Sequence, residues 1–366
     1  MPANKPPFDG EWVRLNQLCM KGRSALRQKD LIDDGPYAVY GASGIIGSMS
    51  TFQNGARYVA VVKDGAGVGR ANLCSARTSV LGTMQALIPT EMVLPEYLLH
   101  LIRAMRLGDG FSGSTIPHIY FKDYGQRLVR YVSMADQERI VGMLGSIEDQ
   151  IDILHQQNER FDTLVKSRFV EMFGDGQWKR TALSEVADIQ GGLTKSGKRD
   201  LLPLKLPYLR VANVLRGTLY LDEVLEIGLT AAECEKNLLV EGDLLFVEGN
   251  GSADQIGRCA VWDGSIAPCV HQNHLIRVRF DERVLPVYAL AYFNAHDGRE
   301  QIVARAVNTS GLFTLSTGKV KALQMPLPPL PLQQKFADFV NNVDKSRFNL
   351  LKAYGSIIAL FRVLFP

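Results

Sequence analysis

The sequence predicts an α+β fold in which two globular lobes of mixed α/β structure are separated by a pair of long antiparallel α-helices, a coiled-coil spacer. Three observations support this fold class. The chain of 366 residues is too long for one hydrophobic core and suits two domains with connectors. Two segments carry sustained heptad spacing. The glycine-rich region before each segment runs through strand and helix signals in the same order.

These observations divide the chain into four parts. Lobe one covers residues 1–134, the central helix 135–173, lobe two 174–330 and the terminal helix 331–366. Because one unit of lobe plus helix occurs twice, we expect the two lobes to be related by a pseudo-two-fold axis.

Lobe one shows strands interrupted by glycine turns. The lobe carries YAVYGASGIIGS (37–48), and RYVAVVKD (57–64) and RLVRYV (127–132) have the apolar, β-branched character of strands. PEYLLHLIRAMRL (95–107) predicts a helix with Pro95 in its first turn. The loop GAGVGR (65–70) completes the pattern.

The central helix is predicted from DQERIVGMLGSIEDQIDILHQQNERF (136–161) and the residues after it. The apolar seam consists of Ile140, Leu144, Ile147, Ile151, Leu154 and Phe161, with 4-3-4-3 spacing at most steps. Ser133 to Asp136 resembles a helix start, and the glycines after Phe173 predict its end. At ~1.5 Å per residue such a helix is roughly 55 Å long.

Lobe two repeats the order of lobe one. LPYLRVANV (206–214) is extended, and Thr230 to Glu233 form a capping box at a helix start. GDLLFVEGNGSADQIGR (242–258) repeats strand, glycine loop and closing Gly-Arg. PVYALAYFNAHDGREQIVARA (286–306) is predicted to be helical.

The terminal helix repeats the seam of the central helix without a gap. Gln137 aligns with Gln333, a shift of 196 residues, and the seam is continued by Phe336, Val340, Val343, Leu350, Ile357 and Phe361. Two interpretations remain open. The helices either pack against each other in antiparallel orientation, or each lies only on its own lobe.

Composition narrows the class of protein. Five widely spaced cysteines without a CxxC pair favour a reducing cytoplasm. The sequence offers no apolar run of membrane-spanning length and no signal-peptide core at its start, so we expect a cytoplasmic protein without a membrane partner. Residues 1–135 carry 15 basic and 10 acidic residues, and residues 136–172 carry 4 basic and 8 acidic residues. The basic lobe is compatible with nucleic acid.

No motif for catalysis or metal binding stands out. GAGVGR lacks the GxGxxG pattern of a dinucleotide loop, GxxxxGK[ST] is missing, and KPPF (5–8) lacks the polar first residue of the motif for amine methylation. His271 and His274, three apart in a predicted strand, are expected to be ordinary polar or DNA-facing residues. The sequence therefore predicts a non-catalytic chain that binds no cofactor or metal of its own.

Four stretches in order resemble the specificity (S) subunit of type I restriction-modification systems: YAVYGASGIIG (37–47), VVKDGAGVG (61–69), GSTIPHIYFKD (113–123) and PLPPLPLQQ (326–334). The resemblance implies that each lobe is a target recognition domain that reads half of a split double-stranded DNA sequence. It implies that the helices set the spacing and dock two modification (methyltransferase) subunits, with restriction (endonuclease/translocase) subunits as a further partner. S-adenosylmethionine and ATP with magnesium would then be bound by the partner subunits.

Polar side chains at strand-to-loop junctions are the candidates for DNA contact, because arginine can reach guanine and asparagine or glutamine can reach adenine. The candidates are Tyr40, Ser43, Lys63, Arg70, Ser114, Thr115 and Tyr120 in lobe one, and Lys195, Lys198, Arg199, Arg210, Asn213, Asn250, Arg258, Gln272, Asn273 and Lys319 in lobe two. The alternative for each residue is a solvated side chain beside a structural turn.

Two other functions stay open at this point. One is a standalone DNA-binding or interaction protein built on the same lobes, which would act without a methyltransferase. The other is a fused restriction-methylation enzyme, which the missing methyltransferase and nuclease motifs disfavour.

Overall fold

The computed structural model describes residues 8–113, 115–174, 178–309 and 311–364, except for the side chains of residues 309, 351 and 353–364. The chain has mixed α and β structure and divides into two compact units. Unit one holds residues up to 154 together with those from 352 onward, and unit two holds residues 155–351. The division falls within both long helices, so each unit contains one lobe and parts of both helices.

Lobe one belongs to unit one and contains nine strands and three short helices within the described residues. In chain order they are β1 (Glu11–Arg14), α1 (Leu15–Leu18), β2 (Cys19–Lys21), β3 (Tyr37–Gly41), β4 (Gly44–Met49), β5 (Tyr58–Val62), β6 (Ala71–Cys74), β7 (Ser79–Val80), β8 (Met84–Pro89), α2 (Pro95–Ala104), α3 (Phe121–Tyr124) and β9 (Leu128–Tyr131), followed by the long helix α4 (Met134–Phe173). The strands form sheets of order β2-β8-β5-β6, β4-β3-β7 and β1-β9.

The core of lobe one follows from its apolar stretches. All five residues of β5 are buried, as expected for a strand with a neighbour on each side. Helix α2 begins with Pro95 and buries Leu98, Leu101 and Ile102 in the same core. Burying a side chain of this size contributes about 1.5–3 kcal/mol. The strand and helix predictions for these segments are confirmed.

Lobe two belongs to unit two and repeats this architecture. Its elements are β10 (Arg180–Ala182), α5 (Leu183–Val186), β11 (Ala187–Gly191), β12 (Leu204–Leu209), β13 (Leu225–Leu229), α6 (Ala231–Asn237), β14 (Leu244–Val247), β15 (Gly249–Asn250), β16 (Cys259–Val261), β17 (Val270–His271), β18 (Leu275–Phe280), α7 (Pro286–Asn294), α8 (His296–Arg305), β19 (Val307–Thr309), β20 (Leu312–Thr314), α9 (Thr317–Lys321) and β21 (Gln324–Pro326), followed by the long helix α10 (Leu330–Leu364).

The sheets of lobe two match those of lobe one in strand order. They run β11-β18-β14-β16, β13-β12-β17 and β10-β21. A fourth group, β15-β20-β19, corresponds in the described part of lobe one to isolated bridges of His118 with Asp64 and Ser112. In both lobes the three-stranded sheet combines one antiparallel and one parallel pairing. The duplication inferred from the sequence is therefore present in the topology.

The helical prediction for residues 286–306 is confirmed, with one break. The structure breaks residues 286–306 into α7 and α8 at Ala295, whose ψ of 169° is extended. A Cβ at Gly298 would overlap the carbonyl oxygen of Tyr292, so the close approach of the two helices requires glycine there. The hydrophobic pattern runs through the break, which is why periodicity alone missed it.

The long helices contact each other within unit two. Arg347 Nη2 of α10 lies 2.6 Å from Asp162 Oδ1 of α4. The ring of Phe336 lies 5.5 Å from that of Phe169 and 5.7 Å from that of Phe173, centroid to centroid. Because residue numbers fall along α10 as they rise along α4, the two segments run antiparallel in this unit.

The predicted seam residues divide by burial. Ile140, Leu144, Ile147, Phe336, Val340 and Val343 are buried, Ile151, Leu154, Phe161 and Leu350 are half-buried, and the side chains of Ile357 and Phe361 lie outside the described residues. Ile140 and Leu144 join the core of lobe one, and Phe336 and Val340 join that of lobe two. The seam thus also anchors the start of each helix on its own lobe.

A buried glutamine fixes the start of each long helix. Gln137 Oε1 accepts a hydrogen bond from Leu94 N at 2.9 Å, and Nε2 donates to the carbonyl oxygens of Met92 and Val132 at 2.9 and 3.0 Å. In unit two, Gln333 makes the same three bonds, with Leu285 N at 2.9 Å and with the carbonyl oxygens of Arg283 and Pro328 at 3.0 and 2.9 Å. Both glutamines are 0% exposed. We call these two sites the helix–lobe joints.

Among the described residues, no helix combines the length and hydropathy needed to cross a membrane.

Candidate nucleic-acid interface

In lobe one, the loop that follows β5 and the segment before α3 lie in contact. Ile119 N donates to Lys63 O and Gly65 N donates to Pro117 O, both at 3.0 Å. His118 Nδ1 lies 2.7 Å from Asp64 Oδ1. The end of β5 and the segment before α3 are therefore held together, and they bring Lys63 to the same surface as Tyr120.

This surface, which we call the Lys63–Tyr120 cluster, combines cations with an exposed aromatic ring. Tyr120 is 49% exposed and stacks on His118 with ring centroids 6.4 Å apart. Lys122 Nζ lies 5.5 Å from the Tyr120 ring centroid, and Lys63 Nζ lies 2.9 Å from Asp64 Oδ2. Burial alone would raise the pKa of Asp64, but hydrogen bonds from His118 and Lys63 outweigh it and lower that pKa. Lysines suit phosphate contact, and a polar aromatic ring suits a base edge.

The other candidates of lobe one lie elsewhere or are solvated. Tyr40 is half-buried in β3, and Ser43 is exposed in the turn before β4. Arg70 is exposed, with a long bond of 3.4 Å from Nε to Gly67 O. Thr115 is exposed beside the cluster loop, and Ser114 lies outside the described residues.

The equivalent place in lobe two has different chemistry. Leu315 N donates to Glu248 O at 2.7 Å, as Ile119 N does to Lys63 O, so an acidic residue stands where lobe one has lysine. Asn250 Oδ1 accepts from Ser252 N at 2.9 Å, and Lys319 is half-buried in α9. Lobe two must therefore use another surface for any cation-based contact.

Four polar candidates of lobe two hold its own fold together. Arg199 Nη2 lies 2.8 Å from Glu233 Oε1, and the same guanidinium also bonds Thr194 O and Gly228 O. The hydrogen bond from Arg199 and then those from Thr230 lower the pKa of Glu233 to about 2.

The other three candidates, Asn213, Arg210 and Arg258, bond to main-chain and side-chain groups of residues 211–223. Asn213 is buried and donates to the carbonyl oxygens of Tyr220 and Glu223, both at 2.9 Å. Arg210 N donates to Asn213 Oδ1 at 2.8 Å, and the Arg210 guanidinium pairs with Glu223 at 3.3 Å. Arg258 donates to Val214 O at 2.7 Å and to Val211 O at 2.9 Å. Because these hydrogen bonds hold main-chain groups of the lobe in place, we assign Arg199, Arg210 and Asn213 a structural role rather than base reading, and Arg258 also supports the fold.

A second set of candidates in lobe two is available for contact. Asn273 N donates to Leu193 O at 3.0 Å, which places Gln272 and Asn273 beside the loop that carries Lys195. Within the described residues, the amide groups of Gln272 and Asn273 have no side-chain hydrogen bond, and Lys195 and Lys198 are exposed. A Cβ at Gly192 would overlap the carbonyl oxygen of His271, so glycine permits this approach of the two loops.

The two histidines next to this set differ in environment. His271 is 0% exposed, and burial, followed by the charge of Arg277, lowers its pKa to about 4. Burial excludes the DNA-facing alternative for His271 and leaves the other expected role, that of an ordinary polar residue. His274 is exposed, and its Nδ1 lies 3.0 Å from Glu248 Oε2. The two residues flank a turn between β17 and β18 rather than sharing one strand.

Several side chains that shape these surfaces were not among the predicted candidates. Asp64, His118 and Lys122 all lie within the stretches quoted for the resemblance, so their position in those motifs was an available signal. In the part of the chain that is described, no group of three or more His, Cys, Asp or Glu residues could hold a metal ion. The five cysteines are free, and burial raises the pKa of Cys19, Cys74, Cys259 and Cys269 to about 12.

Comparison with known proteins finds similarity to specificity subunits. Residues 176–355 match the family model of the type I restriction modification DNA specificity domain. The type I restriction enzyme EcoKI specificity subunit of Escherichia coli K12 is 22% identical over 284 residues, covering 70% of this chain and 59% of that protein. The StySPI specificity subunit of Salmonella potsdam is 24% identical over 306 residues, covering 74% and 65%. The chain thus spans less than two thirds of the length of these curated relatives.

The fold agrees with a solved structure. The crystal structure of the type I restriction-modification S subunit from M. genitalium matches with a TM-score of 0.58 at 15% identity, covering 99% of this chain and 96% of that one. At this identity the match shows a shared fold. Residues 176–355 thus match a type I restriction modification DNA specificity domain, and the chain as a whole is similar to type I specificity subunits.

Proposed function

We propose that this chain is the DNA-sequence specificity subunit of a type I restriction-modification complex in the cytoplasm. Each lobe reads one half of a bipartite double-stranded DNA target. The helices α4 and α10 set the distance between the half-sites and dock two modification subunits. The observation that carries this proposal is the repetition of one topology, lobe followed by long helix, with different polar surfaces on the two copies.

The difference between the copies supports two separate readers. The Lys63–Tyr120 cluster of lobe one has Glu248 at the matching position in lobe two. Lobe two instead presents the amides of Gln272 and Asn273, which have no partner among the described residues, beside the loop that carries Lys195. Glutamine and asparagine suit adenine in the major groove, and lysine suits phosphate or guanine. Two unlike surfaces on one duplicated fold suit an asymmetric, two-part target.

The helix contacts in unit two support the spacer. If the register set by Asp162 with Arg347 and by Phe169 with Phe336 continues, Ile151 of α4 lies opposite residue 357 of α10. The predicted seam would then run the length of an antiparallel coiled coil with a pseudo-two-fold axis near its middle. At 1.5 Å per residue the 40 residues of α4 extend about 60 Å. A stiff spacer fixes half-site separation by geometry.

The chain itself is proposed to be non-catalytic and to bind no cofactor. Methyl transfer from S-adenosylmethionine would belong to the modification subunits, and ATP- and magnesium-dependent translocation and cleavage to restriction subunits where they are present. The relatives' names as type I specificity subunits support this division of labour.

Methylation sequencing of the native host tests the proposal. A bipartite methylated motif that disappears when the gene is deleted, and returns with the full-length gene, is the expected result. A methylation pattern unchanged by the deletion would contradict it.

The alternative of a standalone DNA-binding protein is tested by co-purification. A specificity subunit is expected to retain a methyltransferase from the host lysate at native expression levels. A chain that binds duplex DNA but recovers no methyltransferase would favour the standalone function.

A further inference from the structure

Three arginines from separate segments of lobe two converge at one place. Arg216 lies in the turn that follows residues 211–213, Arg258 precedes β16, and Arg299 lies in α8. The Nη2 atoms of Arg216 and Arg299 both donate to the main-chain carbonyl oxygen of Asp254, the latter at 3.0 Å. The two guanidinium groups therefore share one acceptor atom and lie side by side.

The charge of this arginine cluster is not balanced. Among the described residues Asp254 supplies its one carboxylate, 3.2 Å from Arg216, and the Asp254 side chain is 73% exposed. Elsewhere in lobe two arginines have their own carboxylates: Arg199 with Glu233, Arg277 with Asp188, and Arg279 with Asp243. Like charges held together at a partly buried place are destabilising unless an anion joins them.

One donor of the arginine cluster lacks a partner among the residues that the structure describes. Arg299 Nη1 is buried and has no hydrogen-bond partner within the described residues. Burial, and then the positive charge of Arg216, lowers the pKa of Arg258 and of Arg299. Leaving a charged donor unsatisfied costs about 1–3 kcal/mol or more, so an incoming oxyanion would gain that bond.

The backbone brings the three segments together. A Cβ at Gly257 would overlap Ile302 of α8, so glycine allows the loop before Arg258 to touch that helix. Gly217, with φ of +82°, donates its amide to Cys259 O at 2.9 Å and fixes the turn that carries Arg216. These two glycines place the arginines next to each other.

The arginine cluster belongs to lobe two alone. Val62 N donates to Arg70 O at 2.8 Å and Val247 N donates to Arg258 O at 3.0 Å, so Arg70 is the equivalent of Arg258. Helix α8 lies between α7 and the strands that follow it, where lobe one has only the short turn Leu107–Asp109.

We propose that Arg216, Arg258 and Arg299 form a phosphate-binding site of lobe two, and that its ligand in the working complex is a phosphate of the DNA backbone. Guanidinium groups bind phosphate oxygens through paired N–H donors. The choice of DNA depends on the proposed function. A free phosphate presents the same oxygens, so the test separates the two sources.

The first experiment measures affinity for a random-sequence DNA duplex against salt concentration, using the full chain and its Arg216→Gln and Arg299→Gln variants. Loss of one phosphate contact should reduce the slope of log K against log salt by about 0.9, which weakens binding about eight-fold at 0.1 M salt. Arg283→Gln removes the same charge from a side chain that is 51% exposed and paired with Asp281, and should keep the wild-type slope. If the wild-type chain binds DNA and both variants keep its slope, the DNA phosphate is excluded while the proposed function stands.

The second experiment measures thermal unfolding in inorganic phosphate and in chloride at equal ionic strength. Wild-type protein should be stabilised more by phosphate, and Arg299→Gln should lose that difference. Because Arg299 lies beside like charge, its variant should unfold no lower than wild type in chloride, whereas a purely structural arginine would lose stability. Phosphate stabilisation without a change in the DNA slope would identify free phosphate as the ligand. If neither the salt slope nor the phosphate stabilisation depends on these arginines, the site is overturned. This holds even if the wild-type chain does not bind DNA.

Discussion

Replacing the buried glutamine of one helix–lobe joint should destabilise that unit alone. Gln137→Met keeps the length and most of the volume of the side chain but removes its amide. The amide of Leu94 and the carbonyl groups of Met92 and Val132 then lose their partner. Gln333→Met removes the same three bonds in unit two.

The expected magnitude follows from these three main-chain groups. A buried polar group left without a partner costs about 1–3 kcal/mol. Relaxation and new apolar contacts of the methionine offset part of that cost, so we expect a loss of about 3 kcal/mol in the free energy of unfolding. For a unit of this size the loss lowers Tm by about 6–12 °C.

Hydrogen exchange combined with urea unfolding checks this expectation. In Gln137→Met the amide of Leu94 should exchange faster while that of Leu285 stays as in wild type, and Gln333→Met should show the reverse. Gln334→Met is the matched control, because Gln334 is exposed and bonds only Asp338 at 3.0 Å one turn along its helix. That control should change stability by less than about 0.5 kcal/mol. If the joint variants also fall within this limit, the glutamines do not hold the helices to the lobes.

Three further predictions concern charge and length. Arg199 lowers the pKa of Glu233 from 4.5 to about 2, so the contribution of Glu233 to stability is complete above about pH 4.5 and is lost as the pH falls towards 2. The urea midpoint of Glu233→Gln should therefore fall less with decreasing pH than that of wild type. Equal pH dependence of the two midpoints would contradict this prediction. Arg70→Ala should weaken DNA binding in a salt-matched gel shift without changing Tm, and unchanged affinity would remove Arg70 from the interface. Arg258→Ala should weaken DNA binding and also lose about 1–3 kcal/mol of stability, because Val211 O and Val214 O lose their donor. Inserting one heptad in both α4 and α10 adds about 10 Å, so the gap in the methylated sequence should grow by about three base pairs; an unchanged gap would show that the helices do not set it.

The parts of the fold that sequence predicts well are those fixed by local pattern. The heptad seam and the glycines beyond it predicted the helix bounds 135–173 and 331–366, and the structure has Met134–Phe173 and Leu330–Leu364. The start is explained by Ser133, whose Oγ accepts from Asp136 N at 3.2 Å. A capping bond and an apolar period involve residues a few positions apart, so both can be recognised without the fold.

The candidate site was harder because its contacts join distant parts of the chain. Arg258 bonds Val211 and Arg199 bonds Glu233, and in neither case does spacing along the sequence reveal the partner. An arginine committed to a carbonyl group and an arginine open to DNA look alike in the sequence. Arg216 and Arg299 were missed for the same reason, since only the fold brings them to Asp254.

What the two copies share and where they differ suggests how such a protein changes its target. Tyr97 donates to Arg130 O at 3.0 Å and Tyr288 donates to Pro326 O at 2.9 Å, next to the glutamines that make identical bonds in both joints. The attachment of helix to lobe is thus the same in both units. The loops that would meet DNA differ in charge, as Lys63 and Glu248 show. Substitutions in those loops leave the joints intact, so under the proposed function the sequence read by one lobe can change without altering the length of the spacer.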